Sequence, residues 1–372
     1  MATPLCTYFG KCGGCSAQHI DYSLQLENKR RVIQHNIQFG DIKIVNGLEY
    51  GYRNRMDLLF YANGLGFREK SKWHSIIDVE KCVIANKRIN YHIEEVRSFF
   101  RNSDYYDLRK KTGTFKFAVI RAPRERSSVS ILLNEESSRL AEAIDKIKEY
   151  AKITSADHVS VAYQPAGSEI STSDNFFMVK GEPMLTETYL RKKFYFSVQG
   201  FFQNNTEMAE KMLVHVNNLL KKQDTIDAGL LDLYSGVGTF GITNADLFKS
   251  VTMVENFKSS IDAANMNIKE NNIKNASAIV LDARNIRKVK LADPLYVITD
   301  PPRSGMDIKT ILWLKEFMPE KIIYISCNPE QLGKELKRLK SYKIKSAAIF
   351  DMFPQTPHIE AVVELVKDNQ TL

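Results

Sequence analysis

The sequence predicts an α/β protein whose C-terminal half is a doubly wound parallel sheet, and three observations carry that prediction. The apolar run 230–233 passes straight into the glycine turn Ser235-Gly236-Val237-Gly238 and then into helical sequence. Three further apolar runs each end in an acid: Glu255, Asp282 and Asp300. A last run, 323–326, ends in Cys327 and is broken at once by Asn328-Pro329. Buried parallel strands read as continuous apolar runs, and open sheets of this kind build their sites at the carboxyl ends of the strands.

A length of 372 residues allows two or three domains, and 44% hydrophobic with 26% charged residues is the composition of a soluble globular protein. No apolar run is long enough for a membrane span, and the Met-Ala-Thr-Pro-Leu-Cys start has no signal pattern. A cytosolic monomer with reduced thiols is expected. The net charge of +8 is uneven: residues 1–195 carry 30 basic and 23 acidic side chains, residues 196–372 carry 22 and 21. The cationic excess suggests that a polyanion binds the N-terminal half.

Taken in chain order, the first feature is a cysteine set. Cys6, Cys12 and Cys15 stand in a C-x5-C-x2-C pattern among Gly10, Gly13 and Gly14, and Cys82 would complete four ligands. Four thiolates suit zinc or an iron–sulfur cluster. The short spacings and the single distant fourth ligand favour a [4Fe–4S] cluster over two zinc knuckles. Residues 22–38 are predicted helical. The aromatic and arginine-rich stretches 50–60, 65–68 and 70–74, the last holding Trp73, mix guanidinium groups with rings, as phosphate clamping and base stacking require. Ordinary antiparallel strands with polar outer faces would read the same way.

Residues 91–195 alternate helix and strand and predict an α+β domain: helices at 93–100 and 139–151, strands at 115–121, 128–133, 158–163, 176–179 and 191–198. No catalytic pattern appears there. The expected domains are therefore 1–90, cysteine-bearing and basic; 91–195, α+β; and 196–372, doubly wound.

In the C-terminal domain, Glu255 follows Gly236 by 19 residues, the spacing at which an acid takes ribose hydroxyls. Thr239-Phe240 crowds a pyrophosphate path, so a ligand with ribose and no phosphate, S-adenosyl-L-methionine, fits better. Asp282 suits the adenine end. Asp300-Pro301-Pro302-Arg303 fixes a loop facing substrate. Glu360 stands just before the apolar strand 361–366, where a buried carboxylate is costly without a role.

The chain resembles the RNA 5-methyluridine methyltransferases along essentially its whole length. The motifs that carry the resemblance are Phe201-Phe202-Gln203-Asn204-Asn205, residues 232–241, Asp300-Pro301-Pro302-Arg303, Ser326-Cys327-Asn328-Pro329, and Asp351-Met352-Phe353-Pro354 through Glu360. The resemblance implies a Rossmann-like SAM-dependent methyltransferase domain acting on uracil carbon 5 in tRNA or 23S rRNA. It matches Cys327 to the nucleophile and Glu360 to the general base. It matches Gln203, Tyr234, Thr239, Glu255 and Asp300, and less firmly Asp282, to the pocket for donor and uracil. Cys6, Cys12, Cys15 and Cys82 look like the [4Fe–4S] ligands of the iron–sulfur members. Ser235 and Gln355 depart from the residues that many members carry, cysteine and histidine. The N-terminal β-barrel of some members is expected to be missing.

The chemistry implied is addition of the Cys327 thiolate to carbon 6, methylation at carbon 5, and removal of the carbon 5 proton by Glu360. It predicts a depressed Cys327 pKa, Phe201 or Tyr234 flanking the base or adenine, and Asp300 bonding an edge. The tRNA T-loop uridine is the expected target, with a 23S rRNA uridine next. The alternatives are a non-catalytic RNA-binding iron–sulfur protein, against which Cys327, Glu360 and Asp300 argue together, and an amino-methyltransferase, which needs no cysteine.

Overall fold

A computed structural model describes residues 2–62 and 64–368. In chain order it contains α1 (Tyr22–Ile37), β1 (Ile42–Val45), β2 (Arg55–Tyr61), β3 (Gly64–Glu69), β4 (Lys72–Asp78), α2 (Lys87–Phe99), β5 (Phe115–Arg121), β6 (Ser128–Asn134), α3 (Leu140–Ile153), β7 (His158–Gln164) and β8 (Phe176–Lys180). A hairpin of β9 (Met184–Tyr189) and β10 (Lys192–Ser197) leads into α4 (Thr206–Lys221). The C-terminal part adds β11 (Gly229–Leu233), α5 (Thr239–Asn244), β12 (Ser250–Glu255), α6 (Lys258–Glu270), β13 (Ala276–Val280), β14 (Leu295–Thr299), α7 (Ile308–Phe317), β15 (Lys321–Ser326), α8 (Pro329–Leu336), β16 (Tyr342–Phe350) and β17 (Glu360–Lys367). Among the described residues no helix is long and apolar enough to cross a membrane.

Two sheets organise these elements. The larger is eight-stranded, in the order β1-β16-β17-β15-β14-β11-β12-β13. Strands β11 to β15 are parallel, as their unbroken apolar runs require. Separate apolar clusters cover its two faces. The chain leaves β11 toward β12 on one side and returns to β14 on the other, so the carboxyl ends of β11 and β14 flank the switch point where such sheets hold ligands. The seven-stranded sheet runs β4-β3-β2-β5-β6-β7-β8, with α2 and α3 packed on one face.

The expected domain limits need correction. Strand β2 pairs antiparallel with β5, so one sheet spans the supposed boundary at residue 90. Strand β1 pairs parallel with β16, which assigns residues 42–45 to the C-terminal sheet. Helix α1 goes with them: Ile33 and Ile37 are buried in the same core as β15 and α8. At Gly333 of α8 an added Cβ would lie 2.4 Å from the Asn36 carbonyl oxygen, so only glycine allows the two helices this approach.

Candidate catalytic edge and cysteine cavity

The glycine turn works through backbone conformation and close packing. Tyr234, Gly236 and Gly238 all have positive φ, at 60°, 53° and 85°. A Cβ at Gly241 would lie 2.7 Å from Met253, so this glycine lets α5 settle against β12. Beneath the turn, Asp232 is fully buried, and its Oδ2 accepts from the Gly241 N–H at 2.8 Å. Burial pushes this carboxyl up to about 8.

A cavity of about 430 Å³ opens at the carboxyl ends of β11, β12 and β13, lined by Tyr234, Glu255 and Asp282 together with Gly305, Asp307 and Ile308. Glu255 accepts from the Gly236 N–H at 3.2 Å, so the acid and the turn form one wall. Asp282 is held by the Arg284 N–H at 2.9 Å and its guanidinium at 2.7 Å, which lower its pKa. Thr239 opens α5, and Gln203 faces a small crevice with Arg55, Arg121 and Phe202. Neither lines this cavity. Phe201, expected to flank a ring, is 67% exposed, whereas Tyr234 stands in the cavity wall.

Strand order explains how Cys327 meets Glu360. Strand β17 is inserted antiparallel between β15 and β16, and its register with β15 runs to Ser326 opposite Ala361. One more residue on each strand sets Cys327 beside Glu360. Asp300 follows Thr299, which pairs with Tyr324 on β15, so it joins the same edge. Asn328 then caps α8, its Oδ1 accepting from Gln331 N at 3.3 Å, while its Nδ2 donates to the Arg303 carbonyl at 2.9 Å.

The predicted depression of the Cys327 pKa is overturned. Burial, then Glu360 and Asp300, push the thiol up to about 11, and Arg303 only partly offsets them. The carboxylates outweigh the backbone dipoles at the strand end. The acids shift too: burial raises Asp300 to about 7, and burial together with Asp300 holds Glu360 well above its ordinary range. All three keep part of their surface open to solvent. Crowded, half-buried carboxylates around a thiol make a set of acids that shift one another at one sheet edge.

The loop carrying Glu360 is gripped by the N-terminal segment, which the sequence reading did not anticipate. The Lys29 Nζ donates to Asp351 Oδ1 at 2.6 Å with both side chains buried, and the Tyr22 hydroxyl donates to Oδ2 at 2.8 Å. Gln355, fully buried at φ 67°, pairs with Gln25. Gln25 Nε2 donates to its Oε1 at 3.0 Å, and the Gln355 N–H donates back at 3.1 Å. The Ser16 and Ala17 N–H groups both donate to the Gln355 carbonyl at 3.1 Å. Gln355 thus belongs to a two-amide latch with Gln25.

That latch adjoins the cysteine segment. Cys6, Cys12, Cys15 and Cys82 line one cavity of about 230 Å³ with Phe9 and Arg53. The Gly14 N–H donates to Cys12 Sγ at 3.4 Å. Burial, with a smaller contribution from neighbouring thiols, raises Cys12 and Cys15 and takes Cys82 up to about 12. Among the described residues no group of three or more His, Cys, Asp or Glu converges to hold a metal ion. The expected ligands thus come together around a space and do not close on a point.

Comparisons with known proteins bear on this arrangement. The profile of a family described as tRNA (Uracil-5-)-methyltransferase matches residues 21–368. A tRNA (uracil(54)-C(5))-methyltransferase of Pyrococcus abyssi is 30% identical over 368 residues, 98% of this chain and 86% of that protein. An uncharacterized RNA methyltransferase of Nanoarchaeum equitans is 31% identical, over 98% of this chain and 80% of its own length. The crystal structure of Pyrococcus abyssi tRNA (uracil-54, C5)-methyltransferase in complex with S-adenosyl-L-homocysteine superposes with a TM-score of 0.80 at 28% identity, covering 95% of this chain and 86% of that one.

Proposed function

This chain belongs to the tRNA (uracil-5-)-methyltransferase family and is an RNA methyltransferase, and we propose that it methylates carbon 5 of the T-loop uridine of tRNA through a covalent Cys327–uracil adduct. The observation that carries the reading is the convergence of Cys327, Glu360 and Asp300 on one sheet edge, beside the switch-point cavity of Tyr234, Glu255 and Asp282.

S-adenosyl-L-methionine supplies an electrophilic methyl group on a sulfonium. In this reading Glu255 takes its ribose hydroxyls, Asp282 its adenine end, and Tyr234 packs against a ring. The Cys327 thiol first gives its proton to solvent, and the thiolate sulfur then bonds to uracil carbon 6, which moves electron density onto carbon 5. Carbon 5 takes the methyl. Glu360 then removes the carbon 5 proton, and the electron pair left behind expels the Cys327 thiolate. A glutamate with a raised pKa is the stronger base for that step. Asp300 is placed to bond an edge of the ring. Arg303 supplies the cation that favours the thiolate, and the target base must leave its stack to reach this edge.

The cysteine cavity fits a group wider than one ion. Four thiols around about 230 Å³ suit the cubane of a [4Fe–4S] cluster held by Cys6, Cys12, Cys15 and Cys82. Zinc held by the same four sulfurs at about 2.3 Å is the alternative reading. The cluster would staple this segment to the β2–β3 edge. Iron and acid-labile sulfide assays on anaerobically purified protein test it.

The function is tested by methyl transfer from labelled donor into tRNA lacking 5-methyluridine, followed by mapping of the product. Label at the T-loop uridine supports the reading; label confined to 23S rRNA moves the substrate; label on a base nitrogen removes the adduct chemistry altogether.

A further inference from the structure

The seven-stranded sheet has a second face, away from α2 and α3, and the catalytic chemistry leaves it unused. Across β2 and β5 the pairs on this face are Arg55 with Arg121, Asp57 with Val119, and Leu59 with Phe117. The first pair lies in the crevice beside Phe202 and Gln203, in the segment that leads from β10 into α4. The last pair lies four residues along β2, about 13 Å away, and forms the floor of a separate cavity of about 230 Å³.

The walls of this cavity are preorganised. The Lys116 ammonium donates to the carbonyls of Pro165, Ala166 and Ser168 at 2.6, 3.2 and 2.8 Å. It also lies 4.6 Å from the centre of the Tyr106 ring. The mouth is built differently. Trp73 lines it with 54% of its surface exposed, next to Arg68 and Lys111. Glu169 pairs with Arg68 at 3.1 Å and is the acid at this rim. An open indole over an apolar floor, with cations around the edge, matches a flat aromatic ligand tethered to phosphate. It matches a peptide poorly, since Lys116 already occupies the three nearby carbonyls.

We propose that this cavity binds an unpaired nucleobase of the substrate RNA, stacked on Trp73, with its backbone phosphate against Arg68 and Lys111. This rests on the RNA-methyltransferase reading above. It adds a point of RNA contact on the seven-stranded sheet, away from the catalytic edge, where the N-terminal excess of positive charge has a use.

The chain has two tryptophans, and the other, Trp313, is 5% exposed in the C-terminal core. Trp73 fluorescence is therefore expected to be quenched on titration with unmodified tRNA, and the quench is expected to persist in Trp313→Phe. Trp73→Ala is expected to raise the KM for tRNA roughly tenfold to a hundredfold, with kcat and S-adenosyl-L-homocysteine binding unchanged, and Trp73→Phe to recover most of the loss. Unchanged KM in Trp73→Ala, or unquenched Trp73 under saturating tRNA, overturns the cavity while leaving methylation standing. Quenching by tRNA in a protein that transfers no methyl group would sink the catalytic reading and keep the cavity. Homocysteine-product binding separates misfolding from either outcome.

Discussion

Cys327 and the four N-terminal cysteines are the same functional group in two kinds of company. All five are partly buried, and burial raises the thiols in both places. Around Cys327 the neighbours are carboxylates that titrate, with Arg303 in opposition. Around Cys6, Cys12, Cys15 and Cys82 the neighbours are other thiols and backbone N–H groups, with Arg53 as a cation in the cavity wall. The first setting suits a sulfur that gains and loses a proton during turnover. The second disfavours the Cys12, Cys15 and Cys82 thiolates, which a bound multivalent cation would stabilise. A thiol's function thus follows from what surrounds it more than from how exposed it is.

The contrast breaks most sharply at the catalytic edge. Cys327→Ala is expected to abolish methyl transfer into tRNA while S-adenosyl-L-homocysteine still binds, because the donor cavity does not include that side chain. Activity above background in this variant would remove the nucleophile. Glu360→Gln is expected to slow turnover by roughly 10²- to 10⁴-fold and to accumulate a covalent protein–RNA species on denaturing gels. A slow variant with no such species would assign the proton to another base.

Substitution in the other set should have the opposite signature. Cys82→Ser is expected to lose iron and visible absorbance and to lower the thermal midpoint by on the order of 10 °C. Alkylation of Cys327 should change little. If Cys82→Ser keeps its iron and its midpoint, the four-cysteine assignment falls.

The pH dependence of the Cys327 thiol sharpens the comparison further. With its pKa raised to about 11, the thiolate fraction increases as pH rises, without a plateau near neutrality. Asp300, titrating near 7, gains its negative charge over the same range and opposes that increase. Site-resolved iodoacetamide labelling of the RNA-free protein should therefore climb less than tenfold per unit between pH 6 and 8, and more steeply above. Asp300→Asn removes a neighbouring negative charge and should speed labelling at pH 8 several-fold. A labelling plateau below pH 8 in the unsubstituted protein would restore the depressed thiol that the strand-end position suggested.

That reversal shows where the sequence was legible. Strand β11 with its glycine turn, and the strands ending at Glu255, Asp300 and Cys327, were readable because buried parallel strands leave unbroken apolar runs with a polar stop. The sign of the Cys327 shift was not, because it depends first on how deeply the edge is buried and then on β17 bringing Glu360 beside β15, and both join residues far apart in sequence. The limit at residue 90 failed for the same reason: the β2–β5 pairing leaves no local mark. Gln203 and Thr239 were matched by resemblance, and neither lines the cavity of Tyr234, Glu255 and Asp282.

The two cysteine environments are joined by the Gln25–Gln355 latch, which gives the smallest and most specific expectation. Gln25→Ala leaves the Gln355 Oε1 and N–H without their partners in a buried site. That should cost about 1–3 kcal/mol of stability, read as a lower denaturation midpoint. Because Lys29 still holds Asp351 at 2.6 Å, the loop should stay docked at its start and loosen toward Glu360. Amide exchange should then accelerate at 355–359 and stay slow at 351–352. Iron content should be unaffected, since Gln25 lies outside the cysteine cavity. Uniform acceleration along the loop would mean that Lys29 and Asp351 depend on the latch, and the two anchors would then have to be treated as one.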